Sequence, residues 1–310
     1  MATLSRETVI RSHPWLLDRD LPMIISADED GLLSAAFLHH SLGWKIAGYY
    51  DCSSLWLSQQ ARDQQEQLVW LDLDILSPGS RALGHHILTP GSSIPEALDQ
   101  ICNPNLLAGI GVDRFTSKYP FSMIIFVLWI HSVALRKDLM ARLLVLHADS
   151  TWLNVQRYSK NCKEWEQQLP GYDWRWLFQK IDTELFETRM KERLLPQIQN
   201  LRGYVENHQL RSRHLSIPGG QIKFNPDWDI DIALGYLRIV GTHLKWSPPS
   251  LPDIIEGIEG KRNVIKLPKN TDDDLPEQLQ KRGIFSYAFT HQDTLNFTEL
   301  EWRKEANVSK

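Results

Sequence analysis

Apolar and polar positions along this chain fall into short blocks of two kinds. Runs at 23–26, 44–50, 69–71 and 143–146 have strand length and are bounded by polar residues or glycine. Between them, residues 32–42 show helical spacing, with small Ser34, Ala35 and Ala36 among the larger side chains. Residues 58–67 are polar and helical or loop-like, and 122–139 has the length and composition of a buried helix. Residues 76–95, rich in Ser, Pro and Gly, read as loop. Strand and helix signals taken in turn predict an α/β fold with a doubly wound, mainly parallel sheet.

After residue 149 the character changes. Residues 151–210 are rich in Trp, Gln, Glu and Arg with helical periodicity, as over 174–203, where Pro196 should interrupt the helix. Beyond 217 the text is mixed: 222–224, 237–240 and 285–289 look like short strands, while 247–252 and 266–276, with the acidic run 272–274, look like loops. The pattern therefore predicts three parts: an α/β unit over 1–150, a helical connector over 151–210, and a smaller mixed α+β domain over 211–310. The last part is a candidate substrate-recognition cap.

Composition narrows the class without naming a function. A net charge of −4 gives no global case for nucleic-acid binding, although Arg211, Arg213 and His214 form a small basic group. Cys52, Cys102 and Cys162 are unclustered and lack zinc-site spacing, which predicts a reducing, cytoplasmic setting. No signal peptide is evident, and the longest apolar stretch, 121–134, contains His131 and is short for a bilayer, so no membrane partner is expected.

The candidate chemistry lies where the apolar runs end. Asp28-Glu29-Asp30-Gly31 follows the first strand, and Gly31 would permit a sharp turn. Asp72 and Asp74 end the run at 68–71, and the vicinal pair His85-His86 comes next. The run at 143–146 ends on His147 and Asp149. The carboxyl ends of strands in open α/β sheets are where ligands bind. Oxygen and imidazole donors gathered there suit Mn²⁺ or Mg²⁺. A pair of such ions roughly 3.5–4 Å apart can neutralise phosphoryl oxygens and supply hydroxide near neutral pH. Asp28, Asp30, Asp72, His85 and Asp149 are the expected ligands. Asp74 competes with Asp72 for the place between the ions, and Asp72 is favoured because it follows the strand directly. Asn103, Asn105 and Lys118 are candidates for holding substrate phosphate, with capping and turn formation as the competing explanation for each. The pair His39-His40 reads as a packing or surface feature.

This ordered set resembles the DHH phosphoesterase superfamily, which includes RecJ-type exonucleases, oligoribonucleases, cyclic-dinucleotide phosphodiesterases and family II inorganic pyrophosphatases. The family pattern is an Asp-X-Asp motif followed by a Ser, a lone Asp after a later strand, an Asp-His-His triplet, and a further Asp. Here these become Asp28-Glu29-Asp30 with Ser34, then Asp72, Gly84-His85-His86 and Asp149, over residues 20–150. The resemblance implies one or two Mn²⁺ or Mg²⁺ ions, with Asp72, His85 and His86 in the catalytic centre. It also implies a phosphate contact from His86, a substrate-side role for Ser34, and a nucleic acid or nucleotide as partner. Three departures stand out. Gly84 replaces the triplet Asp, Ile24 stands where many members carry a His, and the Gly-Gly-Gly-His type motif is reduced to Gly219-Gly220. The large aromatic second half is unlike that of the pyrophosphatases. The first departure raises a second expectation, a catalytically degenerate protein that binds a nucleotide or partner without turnover.

Overall fold

Pro22–Ser26 forms the first strand, β1, and every one of its residues is buried. Such a run, apolar on both faces, belongs inside a parallel sheet covered on both sides. The computed structural model describes residues 3–76, 79–89, 98–267 and 275–302. Among them β2 (Lys45–Tyr50), β3 (Ser54–Ser58), β4 (Val69–Leu71), β5 (Arg81–Leu83) and β6 (Ile101–Cys102) follow in the first half. The second half contributes β7 (Tyr204–Arg211), β8 (Pro218–Ile222), β9 (Ile254–Glu259), β10 (Lys261–Lys266), β11 (Ile284–His291) and β12 (Thr294–Glu299).

The central sheet has seven strands in the order β6-β5-β4-β1-β2-β3-β9. Pairing is parallel from β6 through β2, and antiparallel for β2–β3 and β3–β9. The order reverses at β1, which lies between β2 and β4. In an open α/β sheet that reversal leaves a crevice at the carboxyl ends of the two strands. Gly48 of β2 lets the antiparallel edge close, because a side chain there would overlap the Trp56 carbonyl oxygen of β3.

The first three predicted strands and the helix after the first of them stand as read, the helix running Glu29–Leu42. Two predicted strands are helices. Residues 143–146 lie inside the helix Leu139–His147, whose start is capped by Asp138: its Oδ1 accepts from the Met140 and Ala141 amides. Residues 237–240 lie inside the helix Ile230–Leu244. Ile232, Ala233, Tyr236, Leu237, Val240 and Leu244 are its buried positions, a spacing of three and four that a four-residue window cannot display. The predicted buried helix at 122–139 is shorter, Met123–Ile130. Near Pro196, the helix Glu184–Arg189 passes through a wide turn at Met190–Leu194 and resumes as Leu195–Gln199. Proline has no amide hydrogen to continue the earlier helix.

The last hundred residues are joined to the first sheet. Strand β9 supplies its seventh position, and the Leu76 amide donates to the Phe285 carbonyl oxygen. The rings of Phe285 and Trp302 pack edge-on against Trp70 of β4. A small antiparallel sheet, β10-β12-β11, thus sits over the carboxyl end of the central one, and β7–β8 forms a separate hairpin. These contacts join the predicted α/β unit to the predicted cap. The loop at 76–95 lies partly, and the acidic run 272–274 wholly, outside the described residues. No helix among the described residues is long and apolar enough to cross a membrane.

Candidate metal centre

Asp28, Asp72 and His85 stand just past the carboxyl ends of β1, β4 and β5, at and beside the point where strand order reverses. Asp149 reaches the same place from the kink after Leu139–His147, with the positive φ of 50° that Asp tolerates better than most side chains. Asp72 also has a left-handed backbone, with φ 59°. His85 is the meeting point: its Nε2 lies 3.1 Å from Asp149 Oδ2, and its Nδ1 lies 3.6 Å from Asp72 Oδ1. Donor atoms of Asp30, His85 and Asp149 lie within 4.8 Å of one another, as do those of Asp72, His85 and His86. Asp28 belongs to neither trio but is tied to Asp72 through Ser26, whose hydroxyl lies 2.7 Å from both carboxylates.

The burial of these acids has an electrostatic consequence. Burial first, and then the Asp149 charge, raise the Asp28 carboxyl to about 6. Burial likewise lifts Asp30 and Asp72 well above the ordinary range, helped at Asp30 by Asp149 and at Asp72 by Asp30. At Asp149 burial acts upward, but the hydrogen bond and charge of His85 outweigh it and the net shift is down. Carboxyls crowded this way resist ionising together unless a cation joins them.

Whether a divalent ion fits is decided by the donors left over. Asp72 Oδ1 and His85 Nδ1 are buried, face each other, and have no hydrogen-bond partner among the described residues. Unsatisfied buried polar atoms are costly, and an oxygen and an imidazole nitrogen opposed at 3.6 Å, beyond hydrogen-bond reach, leave a place for a shared cation. The surrounding set is carboxylate and imidazole, the donor chemistry of Mn²⁺ or Mg²⁺.

Several residues nearby are spent on holding this arrangement. Asp28 caps the helix Glu29–Leu42 by accepting from the Gly31 amide. Gly31 itself lies in the first helical turn, where a side chain would overlap Ser26. It is needed for clearance and not for the turn that the sequence suggested. Asp30 accepts from the Met123 and Ile124 amides at the start of another helix. Ser34, a substrate candidate from the resemblance, is fully buried and donates to Asp30 at 3.4 Å, so its hydroxyl is engaged within the interior.

Asn103 and Asn105, the other side-chain amides considered for substrate, are also fully buried and engaged. Asn103 caps a short turn through Oδ1 and donates from Nδ2 to Asp74 and to the Ile87 carbonyl oxygen. Asn105 donates to the His85 carbonyl oxygen at 2.8 Å and accepts from the Tyr119 amide. Both lock the histidine loop from behind. Lys118 is exposed beside the Phe115 ring, near enough to Asp149 and His86 for charge to act between them.

His147 is not a donor to this centre. Its Nδ1 lies 2.8 Å from Glu29 Oε1, and both side chains are buried. Glu29 also accepts from Tyr236 Oη and the Ile222 amide, so one carboxylate joins the helix Glu29–Leu42, the helix ending at His147, and two elements of the second half. Sequence reasoning passed over Glu29, Ser26 and Tyr236. Ser26, the last residue of β1, was recoverable from its place two positions before Asp28. Gly219-Gly220 belongs to β8, where side chains would crowd Ser150 and overlap Tyr204. The pair lets that hairpin approach the Asp149 kink.

A cavity of about 240 Å³ opens over the centre, lined on one side by Asp28, Asp72 and His86 and on the other by the C-terminal sheet. His86 is exposed on this side, with its ring centroid 4.0 Å from that of His85. Comparison with family models, curated proteins and solved structures returns no match.

Proposed function

We propose that this chain is a divalent-metal-dependent phosphoesterase of the DHH type. Its doubly wound sheet would carry the ions at the switch point, beneath a C-terminal cap unlike the family's usual one. The reaction is hydrolysis of a phosphodiester, from nucleic acid ends, short oligonucleotides or nucleotides. The observation that carries this reading is the opposed pair of Asp72 Oδ1 and His85 Nδ1, 3.6 Å apart and without a hydrogen-bond partner among the described residues, beside buried Asp30 and half-buried Asp28 and Asp149. Asp28, Asp30, Asp72, His85 and Asp149 would hold Mn²⁺ or Mg²⁺. Bound there, such ions would offset phosphoryl charge and acidify water. His86, on the cavity side, presents an imidazole N–H to a phosphoryl oxygen. Ser26 keeps Asp28 and Asp72 together, and Asn105 fixes the backbone of His85.

The departure at Gly84 does not favour the degenerate alternative. A side chain at Gly84 would overlap the Asp74 carboxylate, which occupies that space. Asp74 accepts from the His86 and Ile87 amides and from Asn103, orienting the loop that presents both histidines. The carboxylate missing from position 84 is thus supplied from position 74. Asp74→Ala is expected to lower turnover about 10–100-fold, the usual cost of losing a group that orients a ligand. Asp74→Gly combined with Gly84→Asp is expected to recover a large part of that loss in the same kinetic assay. A double variant as slow as the single one would show that the two positions are not interchangeable.

Hydrolysis of bis-p-nitrophenyl phosphate and of a 5′-labelled oligonucleotide, with Mn²⁺ and with EDTA, tests the reading. Mn²⁺-dependent cleavage abolished by EDTA is expected. Mn²⁺ binding without cleavage of any diester would favour the binding protein, and neither binding nor cleavage would overturn the phosphoesterase.

A further inference from the structure

The cavity has a second wall, and its charge is opposite to that of the first. Lys223 and Arg262 both line it, both are exposed, and neither forms an ion pair among the described residues. Their positions are fixed by backbone. Residue 223 forms an antiparallel bridge with Asp28, and the next amide, Phe224, donates to the Ala27 carbonyl oxygen. Arg262 lies on β10 directly opposite Thr298 of β12, and Thr298 donates to the Cys52 carbonyl oxygen on the cavity wall. Residues opposite one another in a ladder share a face, so Arg262 and Thr298 face the cavity together.

The same face continues in register. Ser286 pairs with Thr298 and Ala288 with Asn296, and all four line the cavity. The wall therefore carries hydroxyl, amide and methyl groups beside the Tyr287 and Phe297 side chains, with two cations outside any ion pair at its margin. Two such cations facing Asp28 and Asp72 across the cavity match an anionic ligand that reaches the acids through a metal. The cavity is small as well. About 240 Å³, just below the roughly 300–1,000 Å³ of pockets that bury drug-sized ligands, is the scale of one phosphorylated unit.

We infer that Lys223 and Arg262 form the anion-recognition wall of this site, and that its ligand is a phosphorylated molecule of mononucleotide size. The inference rests on the phosphoesterase reading and narrows its substrate to short ends and free nucleotides, excluding duplex interiors. Calorimetric titration of the intact chain with AMP in the presence of Mn²⁺ tests it, with a short DNA duplex as competitor. Arg262→Ala and Lys223→Ala are each expected to weaken AMP binding about tenfold or more, the loss of one charge-assisted contact. Arg262→Lys should retain most of the affinity, both Ala variants should melt with the wild type, and the duplex should not displace AMP.

AMP affinity unchanged in both Ala variants, no AMP binding by the wild type, or displacement by the duplex would overturn the assignment. Mn²⁺ uptake and hydrolysis of bis-p-nitrophenyl phosphate, followed in parallel, separate this failure from that of the wider reading. If both persist while AMP ignores the substitutions, only the wall falls. If the wild type takes up no Mn²⁺ but its AMP affinity still depends on Arg262, the wall stands and the phosphoesterase falls.

Discussion

His85→Ala is expected to lower Mn²⁺-dependent diester hydrolysis by at least about a hundredfold, since groups that merely orient a ligand already contribute 10–100-fold. Among the described residues His85 is the one side chain shared by both donor trios, Asp72-His85-His86 and Asp30-His85-Asp149. Removing it leaves Asp72 Oδ1 and Asp149 Oδ2 facing a void, with no nitrogen donor between them. The fold should survive, because Asn105 holds the His85 backbone carbonyl and not its ring. The check is kcat/KM on bis-p-nitrophenyl phosphate, with melting temperature as control. A folded variant retaining turnover within about threefold of wild type would place the chemistry elsewhere.

Glu29→Ala is expected to destabilise the protein by about 3–5 kcal/mol, the usual cost of breaking one side of a buried pair. The carboxylate is fully buried and serves His147, Tyr236 and the Ile222 amide at once. Its loss strands three donors in the interior, at the seam between the halves of the chain. Glu29→Gln, which retains an acceptor oxygen, should cost less. Urea denaturation of the three proteins measures the difference. A shift below about 1 kcal/mol for the Ala variant would mean that the seam does not depend on this network. Mn²⁺ affinity of the folded Glu29→Gln protein should match wild type, because Glu29 turns away from the ions' ligands toward His147.

Asp28, Asp30, Asp72, His85 and Asp149 were legible in the sequence because each follows a run or motif whose spacing survives without coordinates. Their convergence follows from strand order: β1 and β4 are neighbours in the sheet, although 42 residues separate the end of one from the start of the other. Asp149 was found for a wrong local reason. Four apolar residues, 143–146, read as a strand, whereas they are one fully buried turn of a helix capped by Asp138. The substrate candidates fared less well because Asn and Ser serve caps and loops with the same side-chain atoms that would hold phosphate. Asn103 and Asn105 are consumed in that way, and Ser34 by the Asp30 carboxylate one helical turn before it. The roles of Glu29 at the seam and of Asp74 in the histidine loop were hidden for a different reason. Their partners lie 118 and 207 residues away in one case and across a loop from Gly84 in the other, and neither relation leaves a local pattern.

The most direct measurement is an Mn²⁺ titration of the purified, EDTA-treated chain, read by calorimetry and by the loss of the free-ion electron paramagnetic resonance signal, beside Asp72→Ala. Saturable binding of one or two ions by the wild type, weakened at least about a hundredfold in the variant, is the predicted result. A wild type that leaves the Mn²⁺ signal unchanged, or a variant that binds as the wild type does, would contradict the metal centre and the function built on it.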